Sequence, residues 1–278
     1  MKYEVRYSTH PGDARNYDTE KLREQYLITS LFEADEIVLT YTFEDRFMAG
    51  GVMPVKEKLT LETIDPLKSS YFLERRELGV VNIGGKGQIV VDGVAHKLDF
   101  KEALYVGQGK KEIIFMSEHP EEPAIFYLNS TPAHHAYPVQ KITRENAIRV
   151  ELGAKETSNH RILNKLIVNE TVETCQLQMG MTELQSGSVW NTMPTHVHDR
   201  RMEVYLYFEV PQDQAVCHFM GEAQESRHLW MHDKQAVISP AWSMHSGSGT
   251  SNYSFVWGMA GENLDYGDMD LIPITTLK

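Results

Sequence analysis

Glu74-Arg75-Arg76-Glu77-Leu78-Gly79-Val80-Val81-Asn82-Ile83-Gly84-Gly85-Lys86-Gly87-Gln88-Ile89-Val90-Val91-Asp92-Gly93 reads as strand, glycine turn, strand and hairpin turn. Asp-Gly between β-prone runs is a strong short-range hairpin signal, because both turn positions need positive φ. Outward from this stretch the period of two continues. Ile37–Thr42 and residues 47–55 read as strands before it, and Ala103–Val106 and residues 112–115 as strands after it. Short strands with a turn signal about every ten residues predict an all-β sandwich or barrel. The first thirty residues differ. Residues 18–27 read as a short helical arm, with Asp18 or Thr19 as N-cap and acidic residues in its first turn.

The second half repeats the plan, with expected strands at 173–184, 202–210, 216–220, 236–238 and 254–259. Residues 132–157, rich in Pro, Lys and Thr, read as a linker. The expected organisation is two tandem β-barrels: residues 1–150 with the helical arm, and residues 151–278. Arg75-Arg76-Glu77 resembles Arg200-Arg201-Met202-Glu203. Setting Glu77 on Glu203 puts Ser70 and Phe72 where the second half has His196 and His198, and Lys110 or Lys111 near the counterpart of His245. The first barrel is therefore expected to keep the strand geometry without the ligands, and to serve structure, packing or oligomer formation.

The chemistry concentrates in Thr195-His196-Val197-His198-Asp199-Arg200-Arg201-Met202-Glu203 and in Ser239-Pro240-Ala241-Trp242-Ser243-Met244-His245. Two histidines one residue apart share a strand face, so both can point at one ion. A carboxylate five residues on and a distant third histidine complete an N3O set: His196, His198, Glu203 and His245. Neutral imidazoles and a carboxylate suit zinc, iron(II), manganese, cobalt or nickel alike. His228 and His232 lack a carboxylate at ligand spacing, His134 and His135 read as exposed linker residues, and His160, just before Arg161, reads at most as a support behind the site.

The chain of 278 residues is long enough for two cores. Its formal charge of -12 argues against nucleic acid, whose phosphates want a basic surface. An anionic substrate then requires a local arginine or lysine cluster. Two cysteines, Cys175 and Cys217, are too few and too far apart for a zinc ribbon or a disulfide framework, and are expected as buried free thiols. No run has the length of a membrane-spanning helix, and Met1-Lys2-Tyr3-Glu4-Val5-Arg6 has no apolar signal core, so a cytoplasmic location is expected.

His-x-His with a following glutamate, then Pro-x4-His, resembles the two motifs of the cupin superfamily. The resemblance implies double-stranded β-helix barrels, here in tandem as a bicupin. Two departures stand in the loops: the glycine expected after the glutamate is replaced by the Val210-Pro211 region, and Trp242 stands where a glycine is usual. A closer resemblance spans nearly the whole chain. Tyr71-Phe72-Leu73-Glu74-Arg75-Arg76-Glu77-Leu78-Gly79, Asn191-Thr192-Met193-Pro194, His198-Asp199-Arg200-Arg201-Met202-Glu203-Val204-Tyr205, Gln235-Ala236-Val237-Ile238-Ser239-Pro240 and Trp257-Gly258-Met259-Ala260-Gly261-Glu262-Asn263 are similar to the 5-keto-4-deoxyuronate isomerase family. That implies one zinc (Zn2+) per chain in the second barrel, a homohexamer, and a place in pectin and uronate breakdown. It also implies a reaction, the interconversion of 5-dehydro-4-deoxy-D-glucuronate and 3-deoxy-D-glycero-2,5-hexodiulosonate.

A uronate carboxylate needs a cationic partner, and Arg161, Lys165, Arg200 and Arg201 are the candidates. If Glu203 points inward, alternation brings Tyr205 and Tyr207 inward too. Glu203, Tyr205 and Arg200 are thus the candidate catalytic groups, the phenol as hydrogen-bond donor or proton shuttle. Gln178 is a candidate pocket residue by the same parity, and Trp190 and Trp242 are candidate walls for the sugar. Two other functions fit the ligand set: a different metal-dependent cupin enzyme, such as an iron(II) dioxygenase, and a non-enzymatic sugar-binding bicupin. Oxygen uptake discriminates the first. A sugar-responsive regulator needs a DNA-binding module, and no basic helix-turn-helix is legible in this acidic chain.

Overall fold

The computed structural model describes residues 1–262 and 265–278, so Asn263, the last residue of the Trp257-to-Asn263 motif, lies outside the described residues. The fold is all-β, with two compact units.

In the first unit a seven-stranded sheet runs in the order Lys2–Arg6, Ile37–Thr42, Met48–Val52, Phe126–Pro132, Arg76–Asn82, Ala103–Val106, Gln140–Ile142. A four-stranded sheet runs Leu59–Thr60, Ile113–Ser117, Gly87–Val91, Val94–Leu98. Leu39, Leu78, Val80, Ile89, Phe115 and Phe126 are among the residues of one apolar core. The Asp92-Gly93 turn has φ of 47° and 82°, and Val91 pairs with Val94 across it, as the hairpin reading requires.

The second unit repeats the plan. Its seven-stranded sheet runs Ile148–Leu152, Arg161–Ile167, Gln178–Leu184, Ser254–Gly261, Arg201–Phe208, Gln235–Ser239, Leu27–Ile28. Its five-stranded sheet runs Glu225–Met231, Val216–Glu222, Met244–Gly249, Trp190–Val197, Asp270–Leu271. The helix Thr19–Tyr26 forms where the sequence puts it: the Asp18 carboxylate accepts from the Lys21 N–H at 2.8 Å, and Leu22 and Tyr26, four residues apart, are buried together.

The units are not the contiguous segments 1–150 and 151–278. Residues 7–29 cluster with the second unit and residues 166–179 with the first. The helical arm runs straight into Leu27–Ile28, which pairs antiparallel with Gln235–Ser239. The arm is fixed further by the Trp242 indole N–H donating to the Thr9 carbonyl at 3.0 Å. Residues 132–157 are also more than a linker, because they supply Gln140–Ile142 to one sheet and Ile148–Leu152 to another.

Two further expectations are corrected. The strand expected from residue 173 begins only at Gln178. The backbone N–H groups of Cys175, Gln176 and Leu177 donate instead to the Glu77 carboxylate, each at 2.8 Å, so they are taken from any ladder. Tyr105 donates its hydroxyl to the same carboxylate at 2.7 Å. Second, Glu77 does not correspond to Glu203. Leu78 and Val80 belong to the core cluster, so alternation puts Glu77 on the opposite face of its strand. Arg76 and Arg201 each begin their strand and pair with the last residue of the neighbouring one, Pro132 and Gly261. Leu78 therefore takes the place of Glu203, with Val106 in that of Ser239 across the sheet. A one-residue change of register exchanges the faces, and the ligand position in the first unit is a leucine.

Candidate metal centre

The centre lies between the two sheets of the second unit. His196 is on Trp190–Val197, with His198 one residue past its end, and His245 is on Met244–Gly249, paired directly with His196. Residues 199 and 200 turn the chain into the other sheet, where Glu203 sits on Arg201–Phe208. Four side chains expected to converge do converge. His196 Nε2 is 3.1 Å from both His198 Nε2 and His245 Nε2, and Glu203 Oε2 is 3.1 Å from His198 Nε2 and 2.9 Å from His245 Nε2. All four residues are buried, and they form the one such group of metal-ligating side chains found among the described residues.

The ring orientations are set from behind. His198 Nδ1 lies 2.7 Å from the Asp268 carbonyl and accepts from Arg201 Nε–H at 3.2 Å, contacts that hold the ring with Nε2 turned to the other three side chains. His245 Nδ1 lies 3.2 Å from the Ser239 hydroxyl. Imidazole lone pairs and a carboxylate oxygen then converge where nothing on the chain separates them. Two ligands at 2.0–2.2 Å from a transition-metal ion lie roughly 2.8–3.6 Å apart at angles between octahedral and tetrahedral. The spacing here falls in that range, so the residues fit a divalent metal of the N3O type. Burial, with His245 and His198 beside it, holds the His196 pKa down to about 2, so this ring is neutral. Burial works against the Glu203 charge, but the neighbouring His245 and His198 outweigh it and hold its pKa well below the usual carboxylate range. A neutral imidazole and an ionised carboxylate are the states that bind metal.

A cavity of about 240 Å³ opens beside the cluster, with His196, His198 and Glu203 in its wall. Arg161, Arg201 and Tyr205 line it with Asn191, Thr192 and Tyr266 as polar groups, and Leu163, Phe255, Trp257 and Met259 as apolar walls. Arg161 donates to the Asn159 carbonyl at 3.0 Å, and burial lowers its pKa. Arg201 donates to the carbonyls of Asp265 (2.7 Å) and Tyr266 (3.1 Å), which ties the chain around Tyr266 and Asp268 over the site. The Tyr205 hydroxyl is 3.5 Å from the Thr192 hydroxyl. Burial first, and the Glu203 charge second, raise the Tyr205 pKa well above the ordinary phenol value, so it stays protonated.

Other sequence candidates stand elsewhere. Arg200 is half exposed, with Glu262 at 3.6 Å and Asp268 at 4.0 Å, and is not part of the cavity wall. Lys165 lies over the Tyr266 ring at 4.7 Å, one residue layer behind the cavity. Gln178 is buried outside the lining: it shares its strand face with Thr182, which does line the cavity, but four residues of strand are about 13 Å. Trp190 stacks on Phe219, with ring centroids 5.7 Å apart, and Trp242 holds the N-terminal arm, so both pack rather than wall the cavity. Tyr207 is inward as expected but bonds His218 Nδ1 at 2.8 Å. Cys175 and Cys217 are free thiols, half-buried rather than buried, with pKa values raised by burial.

Sequence reasoning missed Tyr266 and Met269, which reach the cavity from an irregular C-terminal segment, and Leu271 on the two-residue strand that follows it. No periodic pattern marks such a segment. Asn191 and Thr192 were visible only as part of a family motif.

A family profile described as the KduI/IolB family matches residues 29–272. The chain is 62% identical over 277 residues to the 4-deoxy-L-threo-5-hexosulose-uronate ketol-isomerase of Formosa agariphila, covering 100% of this chain and 99% of that one. It is 51% identical over 275 residues to the protein of the same name from Lachnoclostridium phytofermentans, covering 99% of this chain and 100% of that one. Among solved structures, an IolB-like protein from Salmonella typhimurium superposes with a TM-score of 0.68 at 12% identity, over 89% of this chain and 96% of that one. The oxalate decarboxylase of Lactobacillus farciminis superposes with a TM-score of 0.57 at 8% identity, over 81% of this chain and 79% of that one. At such identities these two structures bear on the fold alone, and they support the cupin architecture.

Proposed function

Since the chain belongs to the KduI/IolB family, we propose that it is a metal-dependent ketol-isomerase of uronate catabolism, interconverting 5-dehydro-4-deoxy-D-glucuronate and 3-deoxy-D-glycero-2,5-hexodiulosonate. The observation that carries this reading is the buried cluster of His196, His198, Glu203 and His245, set in a cavity within a chain 62% identical along its length to a ketol-isomerase.

The reaction turns an aldehyde with a neighbouring secondary alcohol into a primary alcohol with a neighbouring ketone. Formally one hydrogen moves from C2 to C1, and one proton moves from the C2 hydroxyl to the C1 oxygen. His196, His198, Glu203 and His245 would hold the metal. When bound, a divalent ion supplies Lewis-acid polarisation of the carbonyl and hydroxyl oxygens. Tyr205, protonated and in the cavity wall, donates a hydrogen bond to the oxygen that gains charge. Glu203 is the one carboxylate lining the cavity among the described residues, and it is the group placed to take the C2 proton if the reaction passes through an enediolate. Arg161 binds the carboxylate at the far end of the open-chain substrate, with Arg201 holding the wall around it. The apolar surfaces of Leu163, Phe255 and Trp257 keep water from the reacting carbons.

Tyr205→Phe is expected to retain metal and lower kcat by about 10²-fold or more, the usual scale for a general acid. Arg161→Gln is expected to raise KM for the uronate at least about tenfold at unchanged metal content, since a charge-assisted bond is worth about 1.5–3 kcal/mol. Steady-state kinetics with metal analysis of each variant checks both. The resident ion is zinc, one per chain, and the chain acts in the cytoplasm as a homohexamer; the family resemblance and the single N3O set among the described residues support this. Metal analysis of protein purified without added metal, and a sedimentation mass six times the 31.8 kDa chain, are the expected results.

A further inference from the structure

We propose that the metal-free unit carries a second ligand site, a cavity that binds a small organic oxyanion, the carboxylate or phosphate of a sugar acid or sugar phosphate. The cavity is about 410 Å³, and its wall includes Arg46, Lys68, Arg75 and Arg76, together with Tyr41 and Phe72. No acidic side chain lines it. In a chain with a formal charge of -12, four cations around one hollow is an unusual concentration.

None of the three arginines has an ion pair among the described residues. Arg76 is 5% exposed and donates to the Ser130 hydroxyl and carbonyl and to the Arg46 carbonyl, all uncharged acceptors. Its neighbour Glu77 is turned to the other face of the strand and is occupied by Cys175, Gln176, Leu177 and Tyr105. Among the described residues Arg75 donates to the carbonyls of Leu67 and Lys68, and neither it nor Arg46 pairs with a carboxylate. Lys68 alone has an acidic partner, Asp65, exposed at the rim. The Tyr41 ring, 5.9 Å from the Arg76 guanidinium, and Glu77 behind the strand favour its charge, but none of the described residues lining the cavity is acidic, and an anion there offsets the remaining cost of burial. Burial draws the Arg76 pKa down to about 10, so the group remains charged at neutral pH.

Arg76 holds the strand position that Arg201 holds in the other unit, and both line the cavity of their own unit. The first unit has exchanged its ligand glutamate for Leu78 but retains an inward arginine at the mouth. Exposed Arg46 and Arg75 give the rim two further planar forks, the geometry that matches carboxylate and phosphate. Tyr41, Phe72, Leu67 and Pro132 offer apolar surface for a carbon skeleton.

The test is calorimetric titration of the metal-loaded full chain with two probes, D-glucuronate and inorganic phosphate, in wild type and in the Arg46→Ala/Arg75→Ala double variant. These residues lie on the rim, so the fold is expected to survive, with turnover at saturating substrate within about twofold. The expected result is saturable binding of at least one probe that weakens at least about tenfold in the double variant, the loss of one or more charge-assisted bonds. Binding of glucuronate alone assigns a sugar acid, and binding of phosphate alone assigns a phosphorylated ligand. Affinities equal in wild type and double variant, or no saturable binding of either probe, overturn the proposal. So does a double variant that changes only the sedimentation mass, which would make the cavity a contact between copies.

Discussion

His196→Ala is expected to lose the metal and to lower kcat/KM by about 10³-fold or more, because a Lewis acid contributes several kcal/mol and each 1.36 kcal/mol is tenfold. The expected loss follows from the position of His196 in the cluster. Its Nε2 contacts two of the other three donors at 3.1 Å, and its strand pairs directly with that of His245. Alanine leaves two histidines and a glutamate around an enlarged hole, with no further histidine, cysteine or carboxylate in the wall among the described residues to replace the lost ligand. His228→Ala is the control: this histidine is exposed on the Glu225–Met231 strand, and metal content and turnover are expected to be unchanged. Elemental analysis of both variants, alongside kinetics, decides the matter. A His196→Ala protein that turns over normally without metal would refute the role assigned to the cluster.

Glu77→Ala is expected to be the most destabilising single change in the first unit, by about 3–5 kcal/mol, the range for removing one partner of a buried charged network. The carboxylate is fully buried and accepts four hydrogen bonds, three from consecutive backbone N–H groups. Alanine leaves all four donors without an acceptor in a site closed to water. It also releases residues 175–177, which lead into the Gln178–Leu184 strand. At about 2–4 °C per kcal/mol for a domain of this size, the melting temperature falls by about 10 °C. Glu77→Gln keeps one acceptor oxygen and is expected to cost less. Thermal and urea unfolding of the two variants measure the difference, and a Glu77→Ala protein within 1 kcal/mol of wild type (about 2–4 °C) would contradict this account.

The cluster of His196, His198, Glu203 and His245 was legible because alternation and spacing are local properties. His196 and His198 share a face by parity alone, and the turn at Asp199-Arg200 brings Glu203 into the opposing sheet. Tyr205 follows from Glu203 by the same parity. The Asp92-Gly93 hairpin and the Asp18 cap were legible because single residue types satisfy demands that few others can. Correspondence between the halves was not. Arg75-Arg76-Glu77 and Arg200-Arg201-Met202-Glu203 look alike by composition, but the first is one residue shorter, and in a strand that difference reverses inside and outside. The fate of Arg200, Gln178, Trp190 and Trp242 depended on distance along a strand and on which neighbour each side chain meets. Those are tertiary facts, as is the return of residues 265–271 to the cavity. The exchange of residues 7–29 and 166–179 between units depends on pairings far apart in sequence, Leu27 with Val237 for example.

The most direct test of the central claim is turnover of 5-keto-4-deoxyuronate by the purified protein, with product identified by NMR, before and after chelation and again after zinc is restored. The expected result is the 2,5-diketo acid at full rate, its loss on chelation and its return with the metal. No conversion by fully metal-loaded protein would contradict the isomerase assignment, and conversion unaffected by complete metal removal would contradict the catalytic role of the His196, His198, Glu203 and His245 cluster.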